Sequence, residues 1–505
     1  MKLFFLAALT LATFGLRAQK NTLLDPAFWR ENPSVEAIRA EISKGSNPAE
    51  SNAMGFDPVV YAINAKASNE AIKLLLEQKG NDVNKITHDG RTYVFWAANR
   101  GNIDIVEYLV SKGAKVNGED SHGSTPLGFA AAAGQANTKI FDVLIGAGAD
   151  VKQKNADGAN LLLLSIANDK DLSLTNYFIS KGLSLNATDA AGNTAFNYAA
   201  RSGNIELMKT LVLKGVKYNG NAMVMATQAG RGGNANGLEV YQYLESLGIK
   251  ATSVNQNGEN ALHNLVRRPN QGAIIQYFLS KGADVNQPDQ EGNTPFMNAA
   301  SFNRDTATMA LLLPQVKDIN GTNKKGVSAL ALAVRSNSAD MVSYLIRKGA
   351  DLNVQDKAGN NLAYYLIQSY NPQGGERGGE RQQPNAPARG DEFGAKIAVL
   401  QRSGYNLATP QKDGNTLYHL AVVKNDLALL KQIEKLNVDV NARNAEGLTA
   451  LHKAAMVAKD DAVLKYLLSL GAKKDVTTGY KETAFDLARE NENFSRQKLS
   501  IDFLK

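Results

Sequence analysis

The sequence predicts an all-α protein built as a solenoid, in which short helical repeats stack side by side. The first observation is a period of 33 to 35 residues in the 505-residue chain, marked by glycines such as Gly90, Gly123, Gly158 and Gly192. The second is that each period carries two helical patterns separated by a polar break. One such unit cannot bury its own apolar face, so neighbouring copies must supply the core.

The first helix of each repeat begins at a capping residue and is rich in small side chains. In the segment GSTPLGFAA at 123–131, the Thr125 hydroxyl can accept a backbone N–H, and Pro126 presets φ for the first turn. The alanines that follow allow helices of adjacent repeats to approach closely.

The second helix carries the apolar face, and a polar finger follows it. In the repeat that starts at Gly90, Ile105, Val106 and Leu109 recur at helical spacing. Gly113 can then adopt the left-handed conformation that ends a helix. The polar residues after it predict an extended finger that leads to the next repeat.

These segments resemble the ankyrin repeat. Its first signature is matched by GSTPLGFAA at 123–131, GNTPFMNAA at 292–300 and GLTALHKAA at 447–455, and its second by GAKVN at 113–117, GADVN at 282–286 and GADLN at 349–353. The resemblance covers nearly all of residues 23–490. It implies an all-α ankyrin-repeat solenoid with short β-hairpin fingers and about 13–14 stacked units.

Departures from this rhythm predict the domain organisation. We expect a signal peptide at 1–18, a degenerate capping repeat at 19–54, ankyrin repeats at 55–370, a flexible loop inserted within a repeat at 371–392, further repeats at 393–480 and a capping half-repeat at 481–505. The inserted segment is rich in Pro, Gly and Gln without apolar periodicity, as expected of a loop. A second lengthened loop is expected at 230–237. Each is interpreted either as a tolerated surface insertion or as a docking or tethering loop.

The N-terminal pattern predicts export. Lys2 precedes an apolar run of 12 residues from Leu3 to Phe14, which fits a signal peptide better than a membrane span of about 20 residues. Cleavage near Ala18 is expected, with an uncleaved anchor as the alternative. It would lower the net charge from +7 to +5, too weak to indicate a nucleic-acid partner. No stable membrane insertion is expected after cleavage, since the chain has no later long apolar run.

The residues predict no catalytic, cofactor or metal site. The chain has no cysteine, and His263, His419 and His452 stand at the His position of the repeat, where the resemblance implies a structural role. His88 and His122 lie on adjacent fingers, where a shared metal site is the alternative, but zinc-type ligand spacing is absent. The Gly-x-Gly-x-x-Ala pattern at 230–235 follows a helix, so it lacks the strand context of a dinucleotide site.

Two sets of side chains are candidates for partner binding. An aromatic stripe on the first helices includes Tyr61, Trp96, Phe129 and Tyr198, and aromatic residues are common binding hot spots. Packing between neighbouring helices is the alternative role for this stripe. A basic set at the ends of first helices includes Arg100, Arg201, Arg267 and Arg335, which either attract an acidic partner or are solvated surface charges.

We therefore expect a non-enzymatic scaffold or helper that binds a protein partner on its concave surface, in the periplasm or outside the cell. A rigid, preorganised surface limits the entropy lost on binding. The alternative is an exported effector that binds a host or competitor protein. An enzyme with its site in the long loops is a third, weaker hypothesis.

Fractionation tests the predicted export. We expect the mature chain to begin at Gln19 and to occur outside the cytosol, because the apolar run at Leu3–Phe14 is read as a signal and removed. N-terminal sequencing of the purified protein and immunoblots of cell fractions measure this. An intact, uncleaved chain in the cytosol would contradict it.

Overall fold

The fold is helical throughout the part of the chain that the structure describes. The computed structural model describes residues 21–228, 235–371 and 392–505. The chain divides into two compact units, Met1–Asn236 and Gly237–Lys505. The described helices follow one another as fourteen successive pairs along the chain, in agreement with the 13–14 repeats expected.

The described helices of the first unit begin with a pair that lies within the predicted capping repeat at 19–54. They are α1 (Pro26–Arg30), α2 (Val35–Ser43), α3 (Pro58–Ala65), α4 (Asn69–Leu76), α5 (Tyr93–Arg100), α6 (Ile103–Ser111), α7 (Pro126–Ala132), α8 (Thr138–Gly146), α9 (Leu161–Ser165), α10 (Ser173–Ser180), α11 (Ala195–Ser202), α12 (Ile205–Leu213) and α13 (Asn221–Met225). Short 3₁₀ turns lie at Thr22–Leu24, His88–Gly90 and Ile166–Asn168.

The described helices of the second unit continue the same alternation. They are α14 (Leu238–Ser246), α15 (Ala261–Leu265), α16 (Gly272–Ser280), α17 (Pro295–Phe302), α18 (Thr306–Leu312), α19 (Ala329–Ser336), α20 (Ala339–Arg347), α21 (Leu362–Ser369), α22 (Glu392–Arg402), α23 (Leu417–Ala421), α24 (Leu427–Glu434), α25 (Ala450–Val457), α26 (Ala462–Ser469), α27 (Ala484–Glu490) and α28 (Glu492–Gln497). Short 3₁₀ turns lie at Leu313–Gln315, Val422–Lys424 and Asp502–Leu504.

Side chains cap the first helices as their sequences indicate. The Thr125 hydroxyl accepts from Gly128 N–H at 3.2 Å, and the Thr449 hydroxyl accepts from His452 N–H at 3.4 Å. His452 is buried; its Nδ1 accepts from Thr449 N–H at 3.1 Å, and its Nε2 lies 2.9 Å from the carbonyl oxygen of Val476. His263 and His419 are placed in the same way, so these three histidines hold helix starts to the following finger.

The fingers are tight turns rather than the regular β-hairpins that the resemblance implies. An Asp or Asn at the start of the turn accepts two backbone N–H groups, as Asp189 does from Ala191 and Asn193. Within the described residues, no regular strand forms, and isolated antiparallel bridges occur only at Val254–Asn260 and Thr322–Ser328. The backbone N–H and C=O groups of a finger form hydrogen bonds within its own turn and with the next finger. They are therefore not available for a longer β-ladder.

Repeats are joined where a first helix ends. Its last carbonyl groups lack a helical partner, and side chains of the next repeat donate to them. In the second unit, Asn337 Nδ2 donates to the carbonyl oxygens of Ala300 and Asn303 at 2.8 Å each, and Asn303 Nδ2 donates to that of Val266 at 2.8 Å. In the first unit, Gln135 Nε2 donates to the Asn99 carbonyl oxygen at 3.2 Å. These amides therefore fix one repeat against the next.

Lys396 performs this task where the predicted insertion interrupts a repeat. Its ammonium group is buried and donates to the carbonyl oxygen of Val334 at 2.9 Å, near the end of α19. Glu392, at the start of the same helix, accepts from Ala339 N–H at 3.0 Å and pairs with Arg304 at 3.2 Å. Helix α22 is thus held against α19 and α20 by its own side chains.

Several segments predicted from the sequence either lie outside the described residues or differ from the prediction. The signal peptide, most of the loop at 230–237 and nearly all of the loop at 371–392 lie outside the described residues. Residues 481–505, expected as a half-repeat, contain a second short helix, α28, whose Phe494 is buried. Among the described helices, none is long and apolar enough to cross a membrane.

Lys396 gives the fold a testable pH dependence. Burial lowers its pKa to about 8, from 10.5. Between these values the unfolded chain holds a proton that the folded chain has lost, so rising pH favours the folded state. We expect the stability difference between the native chain and Lys396→Gln to grow in favour of the native chain by ~3 kcal/mol between about pH 7 and pH 10.5. Urea unfolding at several pH values measures it, and a difference that does not change with pH would contradict it.

Candidate functional site

Three of the four predicted aromatic residues, Tyr61, Trp96 and Tyr198, are hydrogen-bonded to the fingers of their own repeats. The Trp96 indole N–H donates to the Thr87 hydroxyl at 2.9 Å, and the Tyr198 hydroxyl donates to Asp189 Oδ2 at 3.0 Å. Asn52 Nδ2 donates to the Tyr61 hydroxyl at 3.0 Å. In each pair the finger residue stands three positions before the turn glycine. The polar atom of each of these aromatic side chains therefore links the first helix to its finger by a hydrogen bond, which we call the helix–finger hydrogen bond.

The same arrangement occurs in the second unit. The Tyr365 hydroxyl donates to Asp356 Oδ2 at 2.6 Å. Burial and the Asp356 carboxylate raise the pKa of Tyr365. The nearby charge of Arg335 opposes this rise but does not cancel it. Burial likewise raises the pKa of Tyr198, and Asp189 adds to the effect. Both phenols therefore stay protonated and continue to donate at physiological pH.

Three of the four predicted aromatic residues lie near one another, and Tyr198 lies apart from them. The aromatic cluster consists of Phe56, Tyr61, His88, Trp96 and Phe129. Phe56 stacks on the His88 ring at 4.3 Å and lies 5.8 Å from Trp96, which meets Phe129 edge-on at 5.8 Å. Trp96 is 7% exposed, whereas Tyr61, Phe129 and Tyr198 are half-buried. The half-buried rings are the ones that a partner can reach.

Arg91 organises this cluster, and the sequence analysis missed it. Its guanidinium carbon lies 4.2 Å from the centre of the Phe129 ring and 5.4 Å from that of Trp96. Its Nε donates to Asp120 Oδ2 at 2.8 Å and its Nη1 to Asp89 Oδ2 at 3.0 Å. One sequence feature could have identified Arg91: it directly follows the turn glycine, where most other repeats carry a smaller or uncharged residue.

The two finger histidines, His88 and His122, both lie near the Asp89 carboxylate, which already forms an ion pair with Arg91. His88 Nε2 and His122 Nε2 each lie 3.4 Å from Asp89 Oδ2, the oxygen that accepts from Arg91. Burial alone would raise the pKa of Asp89, but its contacts with His88, Arg91 and His122 outweigh that effect and hold the pKa below its ordinary value. Across the described residues there is no group of three or more His, Cys, Asp or Glu side chains able to hold a metal ion.

The four predicted arginines are exposed, two in each unit. Arg100 Nε donates to Asn64 Oδ1 at 2.9 Å, and Arg201 Nε donates to the Gln228 carbonyl oxygen at 3.0 Å. The Arg267 guanidinium lies over the Phe302 ring at 4.1 Å, and Arg335 Nε lies 3.3 Å from the Ser336 hydroxyl. These contacts orient the arginines without neutralising their charge.

Comparison with known proteins identifies the repeat. The family described as "Ankyrin repeats (3 copies)" matches residues 59–155, 131–222, 223–312 and 262–356, and the one described as "Ankyrin repeat" matches residues 446–479. These matches cover more than half of the chain.

Similar proteins include long multidomain chains. The human "Transient receptor potential cation channel subfamily A member 1" is 21% identical over 91% of this chain and 34% of its own length. "Ankyrin repeat and KH domain-containing protein mask-1" of Caenorhabditis elegans is 27% identical over 50% of this chain and 10% of its own length. "Alpha-latroinsectotoxin-Lt1a" of Latrodectus tredecimguttatus is 27% identical over 53% and 22%. The chain thus spans about a third or less of these relatives.

Because Trp96 is buried, its replacement tests whether this residue contributes to packing or to partner binding. We expect Trp96→Ala to lower the free energy of unfolding by about 3 kcal/mol, because it opens a cavity and removes the indole donor. Tyr198→Phe, which loses one hydrogen bond, should cost about 1 kcal/mol. Chemical denaturation of both variants measures this. Unchanged stability of Trp96→Ala together with loss of partner capture would instead assign Trp96 to binding.

Proposed function

The chain belongs to the ankyrin repeat family, and from this premise we propose that it is a non-enzymatic scaffold or helper. It binds a protein partner through its first helices and fingers, and it works in the periplasm or outside the cell. Ankyrin repeats are protein-interaction modules, so the proposal adds the location and the residues that carry binding.

The observation that supports this proposal is the helix–finger hydrogen bond made by aromatic side chains of the first helices. Tyr61 and Tyr198 each use the hydroxyl group for a hydrogen bond to the finger, while the ring remains half-buried on the same helix; Tyr365 makes the same hydrogen bond, but its ring is buried. A surface fixed in this way loses little conformational entropy when a partner binds. Rigid aromatic side chains with a satisfied polar tip are well suited to serve as anchors.

The arginines add charge to this surface. Arg100 and Arg201 in the first unit, and Arg267 and Arg335 in the second, keep exposed guanidinium groups. Oriented positive groups steer a partner of opposite charge and fix its register more than they raise affinity. We therefore propose that the partner presents carboxylate groups to these helix ends.

The location rests on the apolar run at Leu3–Phe14, which has the length of a signal peptide. The absence of cysteine is compatible with an oxidising compartment, since no free thiol needs protection there. An envelope or extracellular protein is accordingly the first partner to seek.

Affinity capture tests this function. The tagged mature chain is incubated with envelope extract and culture supernatant, and the retained proteins are identified. We expect replacement of Arg100, Arg201, Arg267 and Arg335 by Gln to reduce partner recovery about fivefold, since four steering charges are lost. The matched control replaces Lys112, Lys214, Lys348 and Lys435, which directly follow the second helices α6, α12, α20 and α24, by Gln.

Equal loss in both variants would show that net charge rather than these positions governs binding. Failure of the native chain to retain any protein from either fraction would contradict the scaffold function. Recovery of a host or competitor protein instead of a native envelope protein would support the effector role.

A further inference from the structure

Three successive fingers of the second unit carry a lysine at the same position. Lys324, Lys357 and Lys412 each stand two residues before a turn glycine, and Lys325 adds a fourth charge on the first of these fingers. All four side chains are exposed. Among the other fingers, this position holds Ala, Ser, Gln, Gly or His. We call Lys324, Lys357 and Lys412, together with Lys325, the lysine row.

Backbone hydrogen bonds between neighbouring fingers set the course of the lysine row. Lys324 N–H donates to the Glu291 carbonyl oxygen at 2.9 Å, and Lys357 N–H donates to that of Lys325 at 2.9 Å. Lys412 N–H donates to the Gly359 carbonyl oxygen at 3.1 Å. Each lysine is therefore anchored on the finger before it, and the inserted residues between α21 and α22 do not interrupt the row.

Glycine makes this close approach possible. Gly326 has φ +79°, and a Cβ atom there would lie 2.8 Å from Lys357 N and 3.1 Å from Lys357 Cγ. The stem of Lys357 thus lies directly over the preceding turn. A larger residue at Gly326 would push the lysine away and break the regular step between fingers.

In the described part of the chain, the acidic groups near the lysine row form no ion pair with its ammonium groups. Asp318 and Asp351 accept backbone N–H groups of their own turns at 2.8 Å, and Asp356 accepts the Tyr365 hydroxyl. Glu291 and Asp413 are exposed at the two ends of the row. Within the described residues, none of the four ammonium groups lies within 4.0 Å of a carboxylate oxygen.

We propose that the lysine row is the docking site for an extended acidic segment of the protein partner. This inference rests on the proposed function and names the chemistry of the partner. Packed helices lie 8–10 Å apart, so successive fingers advance by roughly 10 Å. An extended chain rises about 3.3 Å per residue, so a carboxylate at every third residue meets one finger after another.

A nucleic acid fits this spacing less well. Duplex DNA carries one charge per about 1.7 Å of its axis, which calls for a denser basic surface than one or two lysines per finger. Glu291 and Asp413 at the ends of the row would also repel a continuing phosphate chain, while they limit the length of an acidic peptide that can bind.

Fluorescence anisotropy with a labelled peptide tests the inference on the full chain. The probe is a nine-residue peptide with Glu at every third position, separated by Gly and Ser. Changing Lys324, Lys357 and Lys412 to Gln should weaken its binding about tenfold, since three exposed ion pairs are lost. The matched control, Lys250→Gln, Lys348→Gln and Lys435→Gln, removes the same charge from exposed positions at or after the ends of second helices, and its affinity should stay within about twofold.

Equal weakening in both triple variants, or no binding to the native chain, would overturn the inference. So would an isomeric peptide with its three Glu residues contiguous that binds as tightly, or a single-stranded oligonucleotide of equal charge that binds more tightly. Circular dichroism and thermal melting of each variant show that it is folded. Capture of a native partner without peptide binding would refute this inference alone, whereas peptide binding without any captured protein would refute the scaffold function.

Discussion

The carbonyl groups at the end of each first helix must find donors that their own repeat does not supply. The next repeat provides them, through Asn303 and Asn337 in the second unit and Gln135 in the first. A missing donor would leave a buried carbonyl group unsatisfied, which costs about 1–3 kcal/mol. In the described part of the chain, these hydrogen bonds join the end of one first helix to the repeat that follows it. This requirement also explains why a repeat taken alone would have neither a complete core nor a complete set of hydrogen bonds.

Much of this fold could be predicted because its rules are local. The helix starts follow from Thr, Ser, Asn and Asp caps, and the three structural histidines follow from their place in the repeat. The regular hairpins that the resemblance implies do not form, because hydrogen bonding within each turn and to the next finger uses the available backbone groups. Lys396 could not be foreseen: its partner, Val334, is 62 residues away, and the insertion hides the repeat position that it serves.

The candidate site was only partly visible in the sequence, for a related reason. The aromatic stripe was found from its position in each repeat, but which atoms it binds depends on how the finger folds back. Trp96 proved almost fully buried, while Tyr61, Phe129 and Tyr198 keep part of their rings exposed. Arg91 joins two fingers and two aromatic rings from four different positions, which no single motif records. Positions where copies differ thus divide into those that hold the array together and those that face outward.

The contacts on either side of residues 372–391 give this repeat a property that protein engineers seek. Tyr370 donates to Asp426 at 2.9 Å on one side, and Glu392 and Lys396 anchor α22 on the other, so these contacts lie outside residues 372–391. The helices that flank residues 372–391 are therefore tied to neighbouring repeats by contacts of their own. The two anchored helices, α21 and α22, offer protein engineers defined attachment points between which an epitope or a fluorescent reporter can be grafted.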